Sequence, residues 1–314
     1  MITIDQSTFK PGKNSISFTT KGYRIAADLY LPEGFETAPC PAIIFARPAT
    51  QVKEQASVVY GEKVSARGYA LLAVDHIGFG ESEGEIRNYE NTENIIAVLT
   101  DGITVLRHLD CIDENRVYGM GLCMGGAYIT RLAFLDKRLK AIATMSAYFD
   151  CATAFAQMMD EETRGQAILG ANLAMEKYLQ TGEVDRYPVL GAMKPGEIPE
   201  GTPRYYADAV DYYMTSRGAL EHAPNYSNML PAFQLPIDPA LNHSPYGDQL
   251  TLPKLFIRGS DAAITGPLTD LFYPNAAEPK ELMVVEGAEH FDLYDIDQYV
   301  DQVIDRVDTF FQAN

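Results

Sequence analysis

The stretch Arg116-Val117-Tyr118-Gly119-Met120-Gly121-Leu122-Cys123-Met124-Gly125-Gly126 decides how the chain folds. Arg116–Met120 reads as a strand, and the apolar run Met124–Leu135 that follows reads as a helix. Between them lies Gly-x-Cys-x-Gly, a sharp strand-to-helix turn with cysteine where serine is usual. A side chain presented on so tight a turn needs small residues two before and two after it, and Gly121 and Gly125 meet that need. The turn lifts the sulfur to the carboxyl edge of a sheet, where open α/β folds bind their ligands. The helix starting at Met124 aims its positive end at the sulfur, which favours thiolate over thiol. The competing reading is an inert buried cysteine beside a glycine-rich turn.

Outward from this turn, strand and helix alternate. Ile16–Thr19 and Arg24–Leu31 form an opening antiparallel hairpin turned at Lys21-Gly22. Ala42–Ala46 and Ala70–Asp75 are apolar without alternation, as strands buried on both faces are. Val52–Arg67, closed by Gly68, reads as a helix with a left-handed cap. Ile95–Leu109 places Ile96, Leu99, Ile103 and Leu106 on one helical face. Ala141–Ser146, Lys254–Arg258 and Glu281–Val285 are further strands, and Ile296–Phe311 is a closing amphipathic helix. The pattern predicts a mostly parallel sheet with helices on both faces.

Residues 151–249 break the rhythm. They hold 9 of the 18 prolines, 6 of the 11 methionines and 8 of the 19 tyrosines. So long a stretch is no plain loop. It reads as an inserted, mainly helical cap between two core segments, 1–150 and 250–314. Its tyrosines and methionines either form a small core of their own or line an apolar pocket for a medium-sized organic ligand.

A nucleophile needs a base. His290 lies in Glu286-Gly287-Ala288-Glu289-His290-Phe291-Asp292, just after the last strand, and Asp261 follows the strand before it. Both loops open at the sheet edge that carries Cys123. The order Cys123, Asp261, His290 is that of nucleophile, acid and histidine in elbow-bearing enzymes. His290 would exchange protons with the sulfur and Asp261 would set its tautomer. The blander alternatives are a surface histidine and a turn aspartate. Asp292 competes for the acid's role from an awkward position two residues from His290. An oxyanion needs two donors: the Met124 N–H, and one from Arg47-Pro48-Ala49-Thr50-Gln51, where Pro48 has no N–H and leaves Ala49 or Thr50. His76 suits a turn and His108 a helix end, and His222 and His243 receive no role. No histidine or cysteine spacing suggests a metal, and no Gly-rich nucleotide loop suggests a cofactor.

Composition narrows the partners. In 314 residues, 43 acidic and 25 basic side chains give a net charge of −18, which repels nucleic acids and anionic membranes. The longest apolar runs fall far short of the roughly 20 residues that a membrane helix requires. Met1–Gly12 lacks a signal-peptide pattern, and four cysteines are no disulfide framework, so a reducing cytoplasm is expected. The expected partner is a small-molecule substrate, with a homodimer allowed.

Taken together, these residues resemble the α/β-hydrolase superfamily over nearly the whole chain apart from the cap. Gly121-Leu122-Cys123-Met124-Gly125-Gly126 is similar to the cysteine elbow of dienelactone hydrolases. The resemblance is closer to a dienelactone-hydrolase-like branch that includes polyketide transferases. Its H-P-G-G-G-V-K-E-Q segment appears as Arg47–Gln55, its G-S-E-A as Gly259–Ala262, and its ending as Pro279–Leu282 and Gly287–Asp295. The glycine-rich loop has become Ala-Thr-Gln after an arginine, and the acid is Asp in place of Glu, one methylene shorter. The resemblance implies an eight-stranded, mostly parallel sheet. It also implies a Cys123-His290-Asp261 triad that hydrolyses an ester, lactone or thioester through an acyl-cysteine. Transfer or cyclisation of a polyketide-like substrate is the alternative, and a silent ligand receptor a further one. Nothing in the chain marks a peptide pocket.

Overall fold

Lys21 and Gly22 both take positive φ, 49° and 87°, and turn β1 (Gly12–Thr20) back onto β2 (Tyr23–Leu31) in antiparallel register. The computed structural model describes residues 4–218 and 222–314; residues 1–3 of the N-terminal stretch read above, and 219–221, lie outside it. The remaining long strands are β3 (Cys40–Ala46), β4 (Ala70–Val74), β5 (Ile112–Leu122), β6 (Ile142–Met145), β9 (Lys254–Gly259) and β10 (Lys280–Val285). They form one eight-stranded sheet in the order β1-β2-β4-β3-β5-β6-β9-β10, parallel from β4 onward. Every residue of β3, β4 and β6 is buried, which accounts for their unbroken apolar character.

The crossovers carry α1 (Ala56–Ser65), α2 (Thr92–His108) and α3 (Met124–Leu135). After β9 come α7 (Thr265–Phe272), then, beyond β10, α8 (Asp292–Asp295) and α9 (Asp297–Ala313). α1 packs with α8 and α9, and α2 with α3, two groups that right-handed crossovers place on opposite faces of the sheet. Asn91 caps α2 by accepting the Asn94 N–H at 2.9 Å. The helix expected from Val52 begins only at Ala56. Side chains take the backbone donors upstream of it: Val52 N–H bonds Gln55 Oε1 at 2.9 Å, and Lys53 N–H bonds Asp75 Oδ1 at 2.8 Å.

Between β6 and β9 the chain leaves the sheet. It builds α4 (Cys151–Met158), α5 (Glu161–Thr181), the two-stranded ribbon of β7 (Arg186–Pro188) and β8 (Met229–Pro231), and α6 (Arg204–Met214). His243 pins the far end of this segment to the core, its Nε2 lying 2.9 Å from the Ala127 carbonyl of α3. α4 and α6 face inward, α4 with Cys151, Ala154 and Phe155 buried and α6 with Val210, Tyr212 and Tyr213 buried. Among the described residues no helix is long and apolar enough to cross a membrane.

The close approach of α3 to β3 depends on Gly125. A Cβ there would stand 1.9 Å from the Ala46 carbonyl oxygen and 2.7 Å from that of Arg47, both backbone atoms that cannot swing away. Gly125→Ala is therefore expected to destabilise the fold by about 2 kcal/mol or more, read as a lowered urea midpoint with unchanged slope. An unchanged midpoint would show that the helix seat is looser than described.

Candidate active site

Cys123 joins β5 to α3 with φ 58° and ψ −125°, a backbone setting that costs of order 1–3 kcal/mol and is imposed by its neighbours. Its N–H donates to the Met145 carbonyl at 2.9 Å, and its own carbonyl accepts the Gly126 N–H at 3.0 Å. Gly121 has the same reason for being small as Gly125: a Cβ on it would lie 2.2 Å from the Gly125 carbonyl oxygen. The sulfur is not lifted clear as the turn alone suggests. Cys123 is only 6% exposed, and burial pushes its thiol up to about 11. The Tyr294 hydroxyl and the N–H groups of Met124 and Ala49 face the sulfur and favour its anion, but they do not outweigh the loss of water.

His290 follows β10 and is fully enclosed, with the rings of Phe291 and Tyr205 at 4.8 and 5.2 Å. Burial alone drives its imidazole down to about 3, so it is neutral across the ordinary pH range. Its Nε2 does not meet the sulfur directly. It lies 3.0 Å from the hydroxyl of Tyr294, which on its other side faces the sulfur of Cys123. The three groups form a line, sulfur to phenol to imidazole. Tyr294 belongs to the short α8, and His290 lies in the turn just before it, so one short segment after β10 supplies both side chains.

Asp261 is not brought to His290. Its N–H is tied to the Ala288 carbonyl at 3.1 Å, its side chain turns to solvent, and its carboxylate accepts from Ser260 Oγ at 2.8 Å. The group at Nδ1 is Thr265 Oγ1, at 3.1 Å, presented by the first residue of α7. Asp292, the other acid considered, accepts the Glu289 N–H at 2.9 Å. With a hydroxyl at Nδ1, either imidazole tautomer can be satisfied. Nδ1–H can donate to Thr265, leaving Nε2 as acceptor, or Thr265 can donate and leave Nε2–H.

The two candidates for the second oxyanion donor separate cleanly. Thr50 N–H is committed to the Glu90 carboxylate, which leaves the Ala49 N–H facing the sulfur beside that of Met124. Thr50 sits at φ 65°, an uncommon setting for a β-branched residue, and Glu90 holds it there. Glu90 is itself paired with Arg47 at 2.8 Å, and both side chains are nearly inaccessible, at 6% and 1%. The Arg47 guanidinium lies 4.2 Å from the centre of the Phe79 ring. The sequence offers no signal for Glu90, which comes from the loop before α2, far from either motif.

Around Cys123 a cavity of about 520 Å³ opens between the sheet edge and the 151–249 segment. Tyr205, Tyr206 and Tyr213 of that segment line it, whereas Tyr212 is buried beside Phe291 and Tyr246 is exposed. His76 does not line it. Its ring is buried near Arg47 with neither nitrogen hydrogen-bonded among the described residues, and its carbonyl accepts the Phe79 N–H of the turn. His108 Nδ1 meets the Thr104 carbonyl at the end of α2. Glu54, Asp75 and Glu81 bring three carboxylates within 4.8 Å of one another, but the ammonium of Lys53 sits among them, 2.7 Å from Glu81 and 3.7 Å from Asp75.

Comparison with known proteins agrees with the fold. YcjY of Escherichia coli K12, an uncharacterized protein, is 32% identical over 312 residues, covering 95% of this chain and 98% of its own. The PA2218 protein of Pseudomonas aeruginosa is 31% identical over 307 residues, 93% of this chain and 78% of that one. Its crystal structure superposes with a TM-score of 0.82 at 27% identity, over 100% and 99% of the two chains. The chain belongs to their family of α/β hydrolases. Residues 21–176, which include the elbow, match the X-Pro dipeptidyl-peptidase (S15) family model. The polyketide transferase GrgF of a Penicillium species is 23% identical over 269 residues, 80% of this chain and 81% of its own. The GrgF structure shares the fold, with a TM-score of 0.77 at 21% identity over 96% and 98% of the chains. The coarse activity class is that of a hydrolase or acyltransferase.

The raised thiol pKa sets a pH signature. Alkylation of Cys123 by iodoacetamide, followed by peptide mapping, is expected to be slow at pH 7 and to climb about tenfold per pH unit towards pH 11. Fast alkylation with a plateau below pH 8 would show a thiolate already present in the resting site.

Proposed function

We propose that this hydrolase acts by acyl transfer through Cys123, cleaving an ester, lactone or thioester of a small to medium organic acid. The observation that carries the reading is the line Cys123 Sγ, Tyr294 Oη, His290 Nε2, set beside the N–H groups of Ala49 and Met124. A thiol near 11 next to an imidazole near 3 is not a resting ion pair. The proton has to move as the sulfur attacks. Sγ forms a bond to the carbonyl carbon while its proton passes to Tyr294 Oη, and the tyrosine's own proton passes to His290 Nε2. The carbonyl π pair goes to oxygen, where the Ala49 and Met124 amides receive the charge. Collapse re-forms the C=O bond and expels the alkoxide or thiolate, which takes back a proton along the same line. A water then attacks the acyl-cysteine with the relay again accepting its proton, and the acid leaves with Sγ–H restored.

The imidazolium that forms in passing is met at Nδ1, among the described residues, by Thr265 Oγ1 alone. A hydroxyl stabilises that cation less than a carboxylate would, so the oxyanion donors carry the larger share of the rate. Release of the acyl group to an alcohol in place of water has its own support: the sulfur is nearly closed to solvent, and GrgF, which shares the fold, is named a polyketide transferase.

With p-nitrophenyl esters, Cys123→Ala is expected to lose about a thousandfold or more in kcat/KM. Tyr294→Phe keeps the ring and removes only the relay, so kcat should fall about a hundredfold with KM little changed. Full activity in Cys123→Ala would defeat the nucleophile. Unchanged kcat in Tyr294→Phe would show that sulfur and imidazole meet directly.

A further inference from the structure

The cavity beyond Cys123 is walled by rings from both halves of the molecule: Tyr89 and Tyr128 from the core, and Tyr205, Tyr206, Tyr213 and Phe233 from the 151–249 segment. Several are held edge-on to one another, Phe233 to Tyr89 at 5.2 Å and Tyr205 to Tyr206 at 5.4 Å, so their faces are set in place before any ligand arrives. Tyr148 and Tyr205 join hydroxyls at 2.8 Å, which turns those polar ends onto each other. Charge on the wall has one sign to spare. Among the described lining residues Arg131 is the sole cation, and its guanidinium is paired with Glu93. Glu90, deeper in, is paired with Arg47 behind the wall. Asp238, exposed at the rim, has no cationic partner among the described residues and accepts from Thr92 Oγ1 at 3.2 Å.

We propose that this pocket selects uncharged aromatic or conjugated acyl groups and rejects acyl groups that carry a carboxylate. The inference rests on the acyl-transfer reading and names its substrate class. A flat π-system can lie against ring faces and meet ring edges in the geometry aromatic pairs prefer. An acyl carboxylate would shed its water in a cleft with no free cation to meet it and with Asp238 at the entrance, a cost that pairing elsewhere does not offset.

The test compares p-nitrophenyl 3-phenylpropanoate, p-nitrophenyl 3-cyclohexylpropanoate and mono-p-nitrophenyl adipate, which are similar in length. The phenyl ester should exceed the cyclohexyl ester about three- to tenfold in kcat/KM, and the adipate by about a hundredfold or more. Calorimetric binding of 3-phenylpropanamide and adipamate to Cys123→Ala repeats the comparison without chemistry, and the neutral aromatic amide should bind at least about tenfold tighter. Turnover of all three esters at similar rates, or tighter binding of adipamate, would overturn the substrate class and leave the nucleophile standing. Selective amide binding with no turnover by the wild type would uphold the pocket's selectivity and sink the acyl-transfer reading.

Discussion

The arrangement of this site hangs on one packing constraint: the N-terminus of α3 is seated against the last residues of β3 with no side chain between them. Gly125 makes that contact and Gly121 clears the turn beneath it. Cys123 is forced to a positive φ, and the same turn points the Met124 N–H at its sulfur. The Ala46 carbonyl that receives Gly125 is followed directly by Arg47 and the loop that supplies Ala49. The proposed nucleophile and both proposed oxyanion donors thus sit around one contact between two neighbouring parallel strands, β3 and β5, and a helix. Strain at Cys123 and at Thr50 persists because buried surroundings over-determine both positions.

Electrostatics at the site follow from burial more than from any charge. The sulfur and the imidazole each lose their hydration and move in opposite directions, the thiol upward and the histidine downward. Both groups rest neutral, and a neutral pair is stable in a buried setting where an ion pair without further support is costly. Preformed backbone dipoles at the place where charge will develop lower the barrier without requiring a charged resting state. In the proposed mechanism Tyr294, between sulfur and imidazole, carries the proton from one to the other.

Much of this was legible in the chain. The elbow, the helix Met124–Leu135, the opening hairpin, the parallel strands and the break at 151–249 all follow from periodicity and from glycines at forced positions. Cys123, His290, Met124 and Ala49 do converge. Thr50 could not be excluded from sequence, because what removes it is a side chain from a distant loop, Glu90, that claims its N–H. Asp261 was misleading for a related reason. Chain order puts an acid at the right loop, but one backbone bond to Ala288 turns the side chain outward, and Thr265 on the next helix fills the space. The four-residue spacing of His290 and Tyr294 is visible in the sequence, yet a tyrosine so placed reads as core packing until its hydroxyl is seen 3.0 Å from the imidazole and facing the sulfur. The burial of the sulfur was equally hidden, since it is produced by rings of the inserted segment and by Tyr294.

In the proposed mechanism Cys123 carries the acyl group during turnover. This is tested most directly by quenching the reaction of a slowly deacylated aryl ester in acid and mapping the acylated peptide by mass spectrometry. A single acyl mass on the peptide containing Cys123, formed at the rate of the p-nitrophenol burst, is the result expected. Product release with the acyl group on a different residue, or with no covalent species and no burst, would contradict it.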